Sequence, residues 1–392
     1  MSTTVPIAIT GMGVVTPLGD SLDAFAASLR TRRTVVPHAD GDARQGRIVD
    51  FEATRYIKAR GLRLFNRPTQ LAICAAKLAL ADAGCEKEIT GEQLGVVVAS
   101  TYAHLETLFE YDRSLVVNGP AGTNPALVPV SIPSAPGAAA ALCFGAKALA
   151  VTLSDGGASS LEAIGLAARL LSARRARACI VASAFTPFEE FLLSASRAGL
   201  IAPAGAFCVF DRARCGTTFG EAAAALILER AEDAIARGAR LRAMLAGQSS
   251  AFAVERPQLA RALRQASERA LALAGIAPGE LALVSSAADG SPSGDRSEAE
   301  ALVAILGEAP VPIMAIKGNL GDSPDCAGFL QTIAATMALG DGLAIPIARL
   351  RDPEVGGLRY AIDELPLRGH HALVTSKSSS GACSALVVSG PA

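Results

Sequence analysis

Tryptophan is absent from the 392 residues, aromatic side chains make up only 4%, and there are four histidines. With no interleaved aromatic and basic residues there is no platform for stacking bases and no track for phosphates. A formal net charge of −1 excludes a broad electrostatic pull toward nucleic acid or an anionic membrane. No apolar stretch reaches membrane-spanning length. The start of the chain, Met1 to Ile9, lacks a basic segment followed by an apolar core, so no secretory signal is expected there. The eight cysteines (Cys74, Cys85, Cys143, Cys179, Cys208, Cys215, Cys326 and Cys383) never form a Cys-x-x-Cys pair. That scatter argues against a zinc site or disulfide framework and for reduced, buried thiols in a cytoplasmic protein.

What is present is apolar. Hydrophobic residues are 51% and charged residues 19%, enough for a large core. The length suits two ordinary domains or one double-length fold. The chain is organised around Leu153-Ser154-Asp155-Gly156-Gly157-Ala158-Ser159-Ser160-Leu161. A strand-like run (Ala146 to Leu153) precedes it and a helix-like run (Leu161 to Leu171) follows. A strand, a tight turn and a helix set one side chain at a helix N-terminus, where free N–H groups and the helix dipole lower a thiol's pKa. The position that would carry the nucleophile is Gly157.

Pro6 to Thr10 reads as a strand leading into Gly11-Met12-Gly13-Val14-Val15-Thr16-Pro17-Leu18-Gly19. Its third glycine comes too late for a dinucleotide fingerprint and Pro17 stops a helix, so a turn is expected. Asp20 caps a helix over Leu22 to Leu29, and Val35 to Arg60 is a surface loop. Thr69 to Ala83 is a helix ended by Gly84, and Leu94 to Ala99 is a buried strand. Tyr102 to Gly122 is expected to loop over the surface. The prolines of Pro125 to Pro136 exclude a central strand, and Gly137 to Leu142 suits a closely packed helix. Strands are expected at Ala178 to Ala184 and Ala222 to Leu228, with a short helix at Ala231 to Arg237. The pattern then restarts: strands at Leu241 to Ala246, Leu281 to Ser285 and Val311 to Ile316, helices at Pro257 to Ala274, Ser297 to Leu306 and Phe329 to Leu339. A β-rich run (His371 to Ser376), a Ser/Gly turn and a last strand (Ser384 to Val388) close the chain. Strands alternating with helices twice over predict two stacked α/β halves with mostly parallel sheets, divided at 1–238 and 239–392.

In this order and spacing the residues resemble the β-ketoacyl-acyl carrier protein synthases. The opening Ile7-Ala8-Ile9-Thr10-Gly11-Met12-Gly13, the elbow, Phe210-Asp211-Arg212-Ala213-Arg214 with Gly220-Glu221-Ala222, Gly294-Asp295-Arg296-Ser297-Glu298-Ala299, and Ile316-Lys317 carry the likeness. The resemblance implies a thiolase-like fold, two stacked βαβ-type halves in five layers, α-β-α-β-α. It also implies an elbow cysteine and two histidines, and this chain departs at all three. Gly157 stands for the cysteine, Asp289 for the first histidine and Asp322 for the second. Lys317 is retained, and the glutamate often paired with it is Gln331. Of the hydroxyls that meet the carrier's phosphopantetheine arm, only Ser291 and Ser293 could stand in. The phenylalanine gate is replaced within Ser378-Ser379-Ser380-Gly381.

Glycine supplies no nucleophile. Aspartate at neutral pH accepts hydrogen bonds and cannot donate one to an oxyanion, a contribution of about 3 kcal/mol per donor. Ser159 and Ser160 read as polar helix-start residues rather than substitute nucleophiles, since no base accompanies them. His38, His104, His370 and His371 miss the family positions and read as surface or loop residues. Cys143 and Cys383 read as small buried residues. Asp289, Asp322 and Asp325 suit a carboxylate–lysine network better than a hard-cation site. Arg174, Arg175 and Arg177 are either a solvated helix end or a docking patch for an acidic carrier.

Two functions follow. The resemblance extends to chain length factors, ketosynthase β subunits that lack the cysteine, pair with an active synthase and set its product length. On that reading Tyr102, Phe109, Ala135, Gly137, Ala138 and Phe144 shape the tunnel or pack at the subunit interface, no cofactor binds directly, and the phosphopantetheine arm of an acyl carrier protein enters the complex. The alternative is an enzyme with cysteine-independent chemistry on carrier-bound chains, using Asp289, Asp322 and Lys317. A homodimeric scaffold is a third, lesser reading.

Overall fold

The computed structural model describes residues 5–35, 46–59, 61–203 and 205–390; His38 lies outside them. The first half runs β1 (Ile7–Val15), α1 (Leu22–Arg30), α2 (Arg67–Ala83), β2 (Leu94–Ala99), α3 (Leu105–Asn118), α4 (Ala135–Phe144), β3 (Leu149–Leu153), α5 (Ser159–Ser172), β4 (Ala178–Phe185), α6 (Glu189–Arg197), β5 (Ala222–Arg230) and α7 (Ala231–Ala236). The second runs β6 (Ala243–Phe252), α8 (Leu259–Ala274), β7 (Leu281–Ser285), α9 (Pro292–Leu306), β8 (Pro312–Met314), α10 (Lys317–Leu320), α11 (Ala327–Asp341), β9 (Leu343–Ala344), β10 (Arg359–Tyr360), β11 (Leu365–Pro366), β12 (His371–Lys377) and β13 (Ala382–Ser389).

The strand order repeats. One half of the sheet reads β1-β5-β4-β2-β3 and the other β6-β13-β12-β7-β8, with β10 added at the far edge. Each half has two antiparallel pairings followed by two parallel ones. The sheet is therefore mixed, not mostly parallel as expected. The halves join where β1 meets β6 over only Ile7 to Ile9. Helices α2 and α4 cover one half, α8 and α9 cover the other, and α5 and α11 pack against each other between them. This is the five-layer, thiolase-like α/β arrangement.

The supposed turn at Gly11 to Val15 is a continuation of β1, with a register shift between Ile9 and Gly11. Its glycines serve packing. A Cβ on Gly13 would lie 2.6 Å from the Ala79 amide nitrogen, and one on Gly11 2.7 Å from Ala83 Cβ, so α2 rests directly on the strand. The 102–122 segment is mostly helix α3, not a loop. Only Thr107 of α3 is buried, whereas Phe109, Leu115, Val116 and Val117 are exposed. Most of its apolar residues face outward, so no helical stripe toward a core marks it in the sequence.

Candidate functional site

The elbow lies between β3 and α5, and the Lys317–Gly321 turn occupies the equivalent connection, between β8 and α11, in the other half. Chain duplication thus brings both turns to the middle layer. At the elbow the Gly156 N–H donates to Thr101 Oγ1 at 2.9 Å and the Asp155 N–H to Ser159 Oγ at 2.6 Å. Gly156 has φ +56°.

The space in front of the elbow is filled by the turn after β12. A Cβ placed on Gly157 would clash with the carbonyl oxygen of Lys377 and lie 3.2 Å from its carbon. One placed on Gly156 would lie 2.5 Å from Ser378 Oγ. The turn is closed by hydrogen bonds from Ser378 N–H to the Ala382 carbonyl (2.8 Å) and from Gly381 N–H to the Ser378 carbonyl (3.1 Å). The space that a side chain at position 157 would enter is thus taken by backbone.

Lys377 also supplies the positive charge that the sequence assigned to Lys317. Its buried ammonium donates to the Ala287 carbonyl at 2.9 Å and lies 3.1 Å from Asp289, 3.7 Å from Asp295 and 3.6 Å from Glu298. Burial alone would lower its pKa, but the three carboxylates raise it far above the ordinary lysine value. Burial alone would raise Asp289, but Lys377, Lys317 and the Ser291 hydroxyl and amide hold it well below the carboxylate range. Asp295 is pushed up to about 7 by burial and by neighbouring Asp289, against the opposing pull of Lys377 and of amides including Phe210 and Asp289. Lys317 pairs with Asp322 instead, at 2.7 Å. So the carboxylates and lysines do form a network, but Lys377 holds Asp289, Asp295 and Glu298 while Lys317 pairs with Asp322, rather than one lysine standing between two aspartates.

The other sequence candidates separate. Ser291 Oγ donates to Asp289 at 2.5 Å, and Ser293 is exposed. Gln331 does not bond Lys317; its amide nitrogen donates to the Ser285 and Thr375 carbonyls at 3.2 and 3.0 Å. Ser159 and Ser160 are buried and accept from the Asp155 and Gly328 amides, with no base on either. Asp325 is buried and accepts from the Thr101 and Tyr102 amides at 2.8 and 2.7 Å; burial pushes it up to about 6.

Tyr102 sits over the elbow, its hydroxyl 3.7 Å from a Cβ built on Gly156. Its ring meets Phe185 and Phe191 edge-on at 6.0 and 5.5 Å, and Phe191 also packs on Phe188 and Phe219. Phe109 reaches this aromatic group through Phe188, at 5.9 Å, while remaining 43% exposed. Gly137 is buried against Val98 and Thr152, Ala135 is half-buried and Ala138 is exposed. Phe144 stands at the other end of β3, roughly 16 Å of strand from the elbow, where it lines a 540 Å³ cavity with Ile57, Phe65, Leu142 and Cys143.

Among the histidines, His104 is buried at the start of α3, contrary to a surface role, and burial lowers its pKa. His370 is exposed, and His371 pairs with Ser389 at 2.8 Å. Cys383 is buried, whereas Cys143 is only half-buried. The arginine cluster follows the far end of α5, roughly 20 Å from the elbow. Arg174 pairs with Glu232 and Arg177 with Glu88. The reading of the sequence missed Lys377, the Phe185–Phe191–Phe219 group, and the half-buried Asp155 and Glu162, whose carboxyls are both raised by burial. A lysine at the end of the β-rich run, just before the Ser/Gly turn, was the one available signal for the first.

A condensing-enzyme scaffold with its elbow closed is thus the class of molecule defined by fold and site. The chain belongs to the β-ketoacyl synthase family: the model of the family's N-terminal domain matches residues 4–234 and that of its C-terminal domain residues 239–351. It is similar to 3-oxoacyl-acyl-carrier-protein synthase 2 of Synechocystis sp., 26% identical over 368 residues covering 89% of this chain and 88% of that protein. It is also similar to the tetracenomycin polyketide synthase ketoacyl synthase beta subunit of Streptomyces glaucescens, 28% identical over 409 residues covering 99% of each. The ishigamide ketosynthase/chain length factor structure superposes with a TM-score of 0.88 at 24% identity, covering 100% of both chains. A type II PKS acyl-carrier protein in complex with its ketosynthase gives 0.85 at 22%, also over the full length of both.

Proposed function

We propose that this chain is a non-catalytic ketosynthase-like subunit of the chain length factor type. It pairs with an active β-ketoacyl synthase in a type II polyketide or fatty-acid-like pathway and shapes the acyl tunnel that the partner uses. The observation that carries this reading is the Lys377 carbonyl lying where a nucleophile's side chain would project from position 157. An acyl-enzyme cannot form on a glycine, and the ionised Asp289 opposes rather than stabilises an enolate. The similarity to a ketoacyl synthase beta subunit supports the reading. So does the edge of the sheet at β3, which pairs only with β2 among the described residues and where Ala150 is exposed.

The Asp289–Lys377 pair weighs against acid–base chemistry at those two groups. Asp289 is held as an anion and Lys377 as a cation through the neutral range, so neither exchanges a proton at working pH. The acyl carrier protein, with its phosphopantetheine arm, then serves the partner's cysteine.

The test is co-expression with a synthase that retains the elbow cysteine and both histidines. A one-to-one complex, no turnover by the isolated chain, and an altered product length with Phe109→Ala are expected. Turnover by the chain alone, abolished by Asp322→Asn, would instead establish the altered-enzyme reading.

A further inference from the structure

We propose that Lys377 is a built-in tether that holds the β12–β13 turn shut over the elbow, so that the closed site is a locked state and not merely one missing its nucleophile. This goes beyond the subunit role and does not depend on whether a second chain binds.

Two independent sets of contacts meet in this one residue. Through its backbone, the Lys377 carbonyl occupies the space in front of Gly157, and neighbouring Ser378 occupies that in front of Gly156. Through its side chain, the ammonium is anchored on the opposite side by Ala287, Asp289, Asp295 and Glu298. The stem between them is enclosed, with Cε lying 3.0 Å from a Cβ built on Gly294. The anchor is itself fixed. Glu298 accepts from Ser286 Oγ, the Ala287 amide and Thr375 Oγ1 at 2.7, 2.8 and 2.6 Å. Asp295 accepts from the Phe210, Asp289 and Gly290 amides. The remaining Glu298 oxygen has no hydrogen-bond partner and faces the ammonium. An ammonium buried among carboxylates cannot leave without stranding them, so the turn cannot lift while the side chain stays in place. A carrier's arm therefore finds no entry to this elbow.

The tether can be cut and replaced. Lys377→Ala removes three carbons and the ammonium nitrogen, the skeleton of n-propylammonium, and leaves the carboxylate anchor in place. The full-length variant should melt roughly 4–6 °C below the parent. Millimolar n-propylammonium should restore much of that loss saturably, and tetramethylammonium at equal ionic strength should not. A second measurement reads the lock itself. Gly157→Ala should lower Tm in the parent, because the turn cannot yield, and by less than half as much beside Lys377→Ala. Lack of amine rescue together with additive losses would overturn the tether. Should Lys377→Ala fail to fold even with the amine, the same cycle with Lys377→Met decides: a reduced Gly157→Ala loss supports the proposal and an additive one refutes it.

Discussion

At the residue scale, the emptied site has become a place for buried charge, and buried charge makes stability depend on pH. Asp325 shows this most simply. Its ordinary carboxyl pKa of 3.8 is pushed up to about 6 because burial disfavours the anion more than the Thr101 and Tyr102 amides stabilise it. A raised carboxyl binds its proton more tightly in the folded than in the unfolded chain. It therefore costs nothing below pH 4, costs progressively more between about 4 and 6, and its full cost, about 3 kcal/mol, applies above that. Asp325→Asn keeps an acceptor for both amides and removes the charge. It should raise Tm at pH 8 and lose that advantage as pH falls toward 4; a melting series over this range checks it, and a constant gap would refute it. Gly157, Asp289 and Asp322 could be singled out in the sequence because each lies in or beside a short motif resembling the family's, although the turn after Asp289 is shorter than the family's. Lys377 could not, because its role depends on a carbonyl and an ammonium pointing at two segments far away in sequence.

Elements repeat the contrast between local and distant causes. The buried strands β2, β4 and β5 and the long helices α2, α8 and α11 follow from apolar runs and helical spacing, and their cores lie where those patterns put them. Strand β1 was truncated in the reading because glycine usually breaks strands. Here Gly11 and Gly13 remove side chains so that α2 can lie against the strand backbone. Gly13→Ala should therefore cost about 1–3 kcal/mol by overpacking, seen as a lower urea midpoint with an unchanged m-value. An unaffected midpoint would show that α2 can shift at no cost. Helix α3 failed for the opposite reason: its apolar residues face outward, so no stripe pointed to a core in this chain.

The whole molecule presents both that outward apolar surface and, among the described residues, an unpaired strand edge. Strand β3 ends the sheet, bonded to β2 on one side only. Exposed hydrophobic edges template pairing with another chain unless charge or a bulge protects them, and within β3 itself (Leu-Ala-Val-Thr-Leu) there is neither. Elsewhere on the surface Leu142, on α4, is 78% exposed and Val116, on α3, 84% exposed. A second subunit paired with β3 would extend the sheet and bury its edge, and positive charge placed there would oppose it. Leu142→Lys with Ala150→Lys touches only exposed positions, so the isolated chain should melt within about 1 °C of the parent. The same pair of changes should abolish the one-to-one complex with a co-expressed synthase in light-scattering chromatography. An intact complex would move the interface to another face of the molecule, while leaving the closed elbow and its tether untouched.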